Sequence, residues 1–386
     1  MALLLIRTFI FVALLLVLPD WYIYKRYISH AHDLRLKRSY WLPTFLLLAA
    51  FIIYGTMMDP TTSSFGTFLI VLLCISVPKA LFSVLDIVLR VVRRIFKMRS
   101  HVETPLAALA ALFSFGYILY GAIWGREQFQ VKEVTFSSPA LPEAFDGYRI
   151  VQISDLHVGC WGGNVRAVER IVSLCNEQGA DIILFTGDLV NILASELPAY
   201  MPALSQLHAT DGVMSVLGNH DYGTYHRWPS PREMEANLDT LRSRQRQMGW
   251  DLLLNEHRIL RRNDAAIAIV GVENSGKPPF PQKARLAQAL RGTEGLFKVL
   301  MSHDPTHWRM EVLPESDVHL MLAGHTHDMQ LSLFGHSPSA LFYPEHNGLY
   351  LEGDRGLYVN IGLGVALLPM RIGAWPEITV ITLKTK

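Results

Sequence analysis

The chain has 386 residues, of which 50% are hydrophobic and only 18% charged, with a mean hydropathy of +0.23 and a formal net charge of +1. This length has room for more than one unit. The charged share falls below the quarter typical of a soluble domain, and the balanced total gives no case for a polyanion-binding surface. Cys74, Cys160 and Cys175 show neither metal-ligand spacing nor a disulfide framework, so free thiols are expected, with Cys160 and Cys175 the pair that could meet.

The apolar excess lies almost wholly before residue 126. Residues 2–18, 41–58, 65–89 and 105–124 read as four membrane spans, each near the ~20 residues a bilayer requires. No small-residue cleavage site follows the first run; Pro19-Asp20-Trp21-Tyr22 comes next, which favours a retained anchor over a signal peptide. Lys25, Arg26, Arg35, Lys37 and Arg38 fill the first gap, and Arg90, Arg93, Arg94, Lys97 and Arg99 the third, while the gap around Asp59-Pro60-Thr61-Thr62 has no basic residue. The positive-inside rule then makes gaps one and three cytoplasmic and everything after Trp124 extracytoplasmic. The third run carries Pro78, Lys79 and Asp86; if it does not cross, the C-terminal part faces the cytoplasm instead.

The expected organisation is a transmembrane region at 1–125, a linker at 126–147 and a catalytic domain at 148–386. In the last of these, short apolar runs at 148–153, 181–185, 213–217, 265–272, 297–301 and 318–322 read as strands, joined by later ones near 357–361 and 378–383. Helical spacing marks 164–178, with Val165, Val168, Ile171, Val172 and Cys175 on one side, and a polar helix is expected at 231–248. The alternation implies an α/β fold, in which sites form beyond the carboxyl ends of strands.

Five polar blocks sit at such ends: Asp155-Leu156-His157, Gly187-Asp188, Gly218-Asn219-His220-Asp221, Ser302-His303-Asp304 and Gly324-His325-Thr326-His327. Singly, each is as well explained as a polar turn. Together they supply carboxylate, imidazole and amide groups suited to a pair of divalent ions. In order and separation they resemble the calcineurin-like metallophosphoesterases, whose pattern is D-x-H, G-D, G-N-H-[DE], H and G-H-x-H; the resemblance covers residues 148–383. It implies a two-sheet β-sandwich flanked by helices, here preceded by an all-α transmembrane region. It also implies that Asp155, His157 and His327 bind one metal ion, that Asn219, His303 and His325 bind a second, and that Asp188 bridges them. Mixed N/O ligands suit Mn, Fe, Zn or Ni without selecting among them. A bridging hydroxide would attack phosphorus, with His220 donating to the transition-state oxygens or the leaving group and Asp221 orienting His220.

The chain departs from the membrane-associated bacterial branch it most resembles at Asp328-Met329-Gln330, where two glycines and a Gln commonly stand. The late stretch 357–364 is similar to one found in that branch. The aromatic, Pro- and Gly-rich segment 331–355 reads either as a rim around the site or as an ordinary connection. His208, His226, His257, His307, His319, His336 and His346 match no metal motif and take structural readings, His226 alone being placed where it could line a cleft. The expected activity is cleavage of phosphodiester or pyrophosphate bonds, with lipid-linked substrates suggested by the number of spans. The alternatives are a phosphomonoesterase or nucleotide phosphatase acting on small soluble substrates, and a membrane sensor that binds without cleaving. Membrane lipids are the expected surroundings. No basic, aromatic-interleaved stretch points to nucleic acid, and no protein partner is evident.

Overall fold

The computed structural model describes residues 2–57 and 63–386. The basic-free gap at 59–62 and the last expected residue of the second span, Met58, lie outside them. The chain divides into a helical unit, Met1–Trp124 with the short segment Leu367–Met370, and a second unit made of Gly125–Ala366 and Arg371–Lys386.

The helical unit holds α1 (Ala2–Ile23), α2 (Leu34–Ser39), α3 (Leu42–Met57), α4 (Ser63–Ile95) and α5 (Glu103–Ile123). Among the described residues, four stretches are long and apolar enough to cross a membrane: Arg7–Ile28, Leu34–Gly55, Ser64–Ile95 and Glu103–Ile123. The polar residues that complicate the third are accommodated. Helix α4 continues through Pro78. Lys79 Nζ lies 2.8 Å from the fully buried Asp20 carboxylate, which also accepts from Thr44 and, at 3.1 Å, from Tyr40 Oη. Asp86, likewise buried, accepts from Arg90 Nε at 2.9 Å, Tyr27 Oη at 2.8 Å and Thr104 Oγ1 at 3.0 Å. An acid in hydrocarbon is tolerated when it is paired and hydrogen-bonded inside a bundle, and these two tie the four helices together.

The second unit is a sandwich of two six-stranded mixed sheets. One runs β1 (Gln130–Ser138), β12 (Glu377–Thr385), β2 (Arg149–Ile153), β3 (Ile182–Phe185), β4 (Val213–Ser215) and β5 (Asp251–Leu252). The other runs β10 (Gly348–Glu352), β11 (Arg355–Val359), β9 (Leu320–Ala323), β8 (Phe297–Met301), β7 (Ala265–Gly271) and β6 (Glu256–Arg262). Ile150, Ile182, Leu184 and Met214 from the first sheet meet Ile267, Ile269, Val299, Leu320 and Leu322 from the second in one core. On the outer face of the first sheet, α6 (Val165–Asn176) packs Val168, Ile171, Val172 and Cys175 against Ile183 and Phe185, with α7 (Met201–Leu204) beside it. Asn164 caps α6, its side chain accepting from Ala167 N. Ser230 caps α8 (Pro231–Gln247), whose first residue is proline, as a helix start favours.

Strands β2, β3 and β4 run parallel and bury nearly every residue, as do β8 and β9. Their C-terminal ends therefore come together, which is what positions the site. The segment 126–147 is not the linker the sequence suggests. Gln130–Ser138 is β1, paired parallel with β12 from Gln130 opposite Glu377 to Ser138 opposite Thr385. Only Phe136 and Ser138 of that strand are buried, so it lacks the continuous apolar run by which its neighbours are recognised.

Candidate metal centre

Each polar block leaves a strand end. Asp155 and His157 follow β2, Asp188 follows β3, Asn219 and His220 follow β4, His303 follows β8, and His325 and His327 follow β9. Backbone bonds knit these turns together: Asp155 N–H donates to Gly187 O at 2.9 Å, and Gly324 N–H to His303 O at 2.9 Å. Glycine is required where they touch. A Cβ on Gly218 would overlap the Asp188 carboxylate, and one on Gly324 would overlap Ser154 Oγ and Asp155 Oδ2. Asp155, His157, Asp188, His325 and His327 all have positive φ, from 42° to 73°. That region is costly for non-glycine residues, about 1–3 kcal/mol each, and such strain gathers at functional sites.

The side chains converge. His327 Nε2 lies 3.2 Å from Asp155 Oδ1 and 3.0 Å from His157 Nε2. One oxygen of Asp188, Oδ2, stands 3.1 Å from His303 Nε2 and 3.6 Å from His157 Nε2. The other, Oδ1, accepts from the His220 backbone N–H at 2.8 Å. Asn219 Oδ1 lies 3.1 Å from His303 Nε2 and 2.8 Å from His325 Nδ1. All seven expected ligands are thus in one cluster, within which Asp155, His157 and His327 form one group that could hold an ion, Asp188, His303 and His325 another, and His157, Asp188 and His220 a third.

A model of the calcineurin-like phosphoesterase family matches residues 148–329, and a model described as a probable calcineurin-like phosphoesterase transmembrane domain matches residues 6–126. The chain is 31% identical over 290 residues to a Bacillus subtilis protein named uncharacterized metallophosphoesterase YkuE, covering 72% of this chain and 92% of that protein. The chain belongs to the calcineurin-like phosphoesterase family. It is also 32% identical over 286 residues to a Danio rerio transmembrane protein with metallophosphoesterase domain, covering 72% of this chain and 62% of that protein. Phosphodiesterase YaeI of Escherichia coli is 26% identical over 300 residues, covering 74% of this chain and 98% of that protein.

This phosphoesterase is thus a metal-dependent enzyme with a membrane domain, and its donor atoms fit a divalent ion. Asn219 Nδ2 donates to Tyr225 Oη at 2.8 Å, which turns the amide oxygen into the cluster. His303 Nδ1 lies 2.8 Å from the Thr186 carbonyl, so the proton sits there and Nε2 faces inward. Several ring nitrogens and carboxylate oxygens point at one another with too few protons to satisfy them all, the arrangement a cation resolves. The electrostatics agree. Burial alone would lift Asp155 and Asp188, but the neighbouring histidines, His327 and His303 foremost, hold both carboxyls below the usual range. Burial pushes His157, His325 and His327 down, toward the neutral form that ligates metal. His303 goes the other way: burial opposes its charge, yet Asp188 and Asp155 raise it to about 10.

One expectation changes, and one open alternative is decided. Asp221 does not orient His220. Its fully buried carboxylate accepts from the backbone N–H groups of Asp188 (3.0 Å), Leu189 (2.9 Å), Val190 (3.2 Å) and Gly218 (2.9 Å), pinning the Gly187-Asp188 turn. The atom that orients His220 is the Asn191 carbonyl, 2.6 Å from Nδ1. The segment 331–355 is more than a connection, since Tyr343 Oη reaches His325 Nε2 at 3.0 Å. Tyr225, Tyr343 and Arg371, whose Nη2 is 3.1 Å from His327 Nδ1, are neighbours of the cluster that the motifs did not announce. Tyr225 and Tyr343 had a faint signal in aromatic-rich loops; Arg371 had none. His226 packs edge-on against Trp228, while the adjacent Tyr225 reaches the cluster. His307, given a structural reading, bonds Ser302 Oγ at 2.8 Å and Glu311 at 2.7 Å.

Proposed function

We propose that the second unit, Gly125–Ala366 with Arg371–Lys386, is the catalytic domain of a membrane-anchored phosphohydrolase with a dinuclear centre, cleaving phosphodiester or pyrophosphate bonds. Asp155, His157 and His327 would hold one ion, and Asn219, His303 and His325 the other, with Asp188 shared between them. The observation that carries this reading is the single Asp188 oxygen approached from both halves of the cluster. Two divalent ions, when bound, acidify water and neutralise charge on the phosphoryl oxygens; Mn, Fe, Zn and Ni all suit the ligands. The chain's own residues do the rest. His220, half-buried beside His157 and Asp188 with Nδ1 anchored on the Asn191 carbonyl, protonates the leaving oxygen through Nε2. Tyr225 and Tyr343 hold Asn219 and His325 in place.

Lipid-linked substrates are favoured by the segment that supplies Tyr343. Phe334 is fully exposed on it, with Leu341 at 82% and Phe342 at 62%. Large apolar side chains left in water beside a catalytic cluster mark a surface for an apolar partner. By the positive-inside rule the catalytic domain lies on the extracytoplasmic side.

The test is hydrolysis of bis(p-nitrophenyl) phosphate by the full, detergent-solubilised chain with Mn²⁺, with chelator and with Asp188→Asn, alongside the monoester. The expected result is metal-dependent diester cleavage reduced on the order of a thousandfold in the variant. Monoester turnover far above diester turnover would move the reading to a phosphomonoesterase. Phe334→Ser with Phe342→Ser should slow cleavage of a lipid phosphodiester in mixed micelles and leave the soluble diester unaffected; equal loss on both would sink the lipid-linked reading.

A further inference from the structure

We infer that Arg371 is a positioning residue for the metal centre, its guanidinium fixed against His327 so that the Asp155 half holds its ion more loosely than its ligands alone would. The inference rests on the dinuclear reading above. An imidazole that binds metal through one ring nitrogen is oriented, and made more basic, when the other nitrogen donates to a carbonyl or carboxylate. The Asn219 half is built that way. His303 Nδ1 lies 2.8 Å from the Thr186 carbonyl, and His325 Nε2 lies 3.0 Å from the Tyr343 hydroxyl oxygen.

The Asp155 half is not. His157 Nδ1 is buried without a hydrogen-bond partner among the described residues. His327 Nδ1 faces Arg371 Nη2 at 3.1 Å. A guanidinium carries donors only, and the two Nη2 protons are directed at Ile361 O and Gly364 O, so Nδ1 finds no acceptor there for a proton of its own. The neutral ring then carries its proton on Nε2, the atom turned toward Asp155 and His157. An ion at Nε2 must displace that proton, and moving it to Nδ1 would set it against the guanidinium. Arg371 has no room to yield. It is fully buried, Nε donates to Gly364 O at 2.9 Å, Nη1 to Ala374 O at 2.9 Å, and Nη2 lies 2.8 Å from both Ile361 O and Gly364 O. Its fixed positive charge also offsets the extra carboxylate, Asp155, that distinguishes this half from the one containing Asn219.

The experiment is a Mn²⁺ binding isotherm on the full, detergent-solubilised chain. Wild type should bind in two steps, and His157→Gln should abolish one of them, assigning it to the Asp155 half. Arg371→Met should tighten that same step by about 10- to 100-fold, matching in size and opposite in sign the loss usual on removing a residue that supports a metal ligand, and leave the other unchanged, while Arg371→Lys, which keeps the charge, should stay near wild type. An assigned step that Arg371→Met leaves unchanged, or weakening of both steps together, would reduce Arg371 to a structural residue and overturn the inference. If the Met variant does not fold, ¹⁵N-histidine NMR of the metal-free wild type decides: His327 protonated at Nε2 supports the inference, and protonation at Nδ1 overturns it. Absence of any metal binding by wild type would remove the centre itself, whereas two steps indifferent to Arg371 overturn this inference alone.

Discussion

At the residue scale, the types and order of the candidate ligands were written in the chain, but the parts their neighbours play in the turns were not. Asp221 shows the difference. Its place beside His220 suggested a catalytic partner, yet four backbone N–H groups claim its carboxylate, and burial followed by the charge of Asp188 pushes it up to about 7. Asp221→Ala would leave those donors unsatisfied and should cost on the order of 3–5 kcal/mol, read as a large fall in melting temperature. A variant with unchanged melting and a shifted pH–rate profile would restore the orienting role. His303 gives a second expectation. Its folded-state pKa is raised to about 10, so in the metal-free protein its charged form adds stability below about pH 6.5 that is lost as pH climbs through about 10. Metal requires it neutral. The other histidine ligands are already pushed toward neutrality and both carboxyls toward ionisation, so one proton leaves per metal-loaded centre. Apparent affinity for the ion at His303 should therefore rise about tenfold per pH unit between about 6.5 and 8.5. A flat profile in binding isotherms would contradict the assignment.

At the element scale, what was legible and what was not divides by position in the sheets. The interior strands, among them β2, β3, β4, β8 and β9, were readable because burial on both faces demands near-continuous apolar runs. The strands that escaped notice, β1, β5, β6 and β10, are the four sheet edges. Edge strands carry polar and charged residues that keep them from pairing with other chains, as Glu256–Arg262 (EHRILRR) illustrates, and that removes the signal. The ends of β2 and β9 meet so closely that Gly324 has no room for a side chain against Ser154 and Asp155. Gly324→Ala should therefore displace Asp155, lower the melting temperature by an amount matching about 1–3 kcal/mol, and reduce bound metal in the full chain. Unchanged metal content would show that the turn can relax.

At the scale of the whole molecule, composition separated an apolar third from an α/β remainder, and the structure divides the chain near the same place, at Trp124 and Gly125. Sidedness belongs to this scale. With gaps one and three cytoplasmic, single cysteines placed at exposed positions of the second unit, in a Cys-free background, should react with a membrane-impermeant maleimide in intact cells. Labelling only after lysis would place the domain inside. Span length, apolar runs and motif chemistry are local properties, so the apolar helices, the interior strands and the residues of the five polar blocks could be read from the chain. That β1 completes a sheet, that Asp221 serves the backbone and that Arg371 stands behind His327 emerge from the folded chain alone. Those relations join residues far apart in the chain, and a hydrogen bond across 44 positions, as between Arg371 and His327, leaves no periodic or compositional trace.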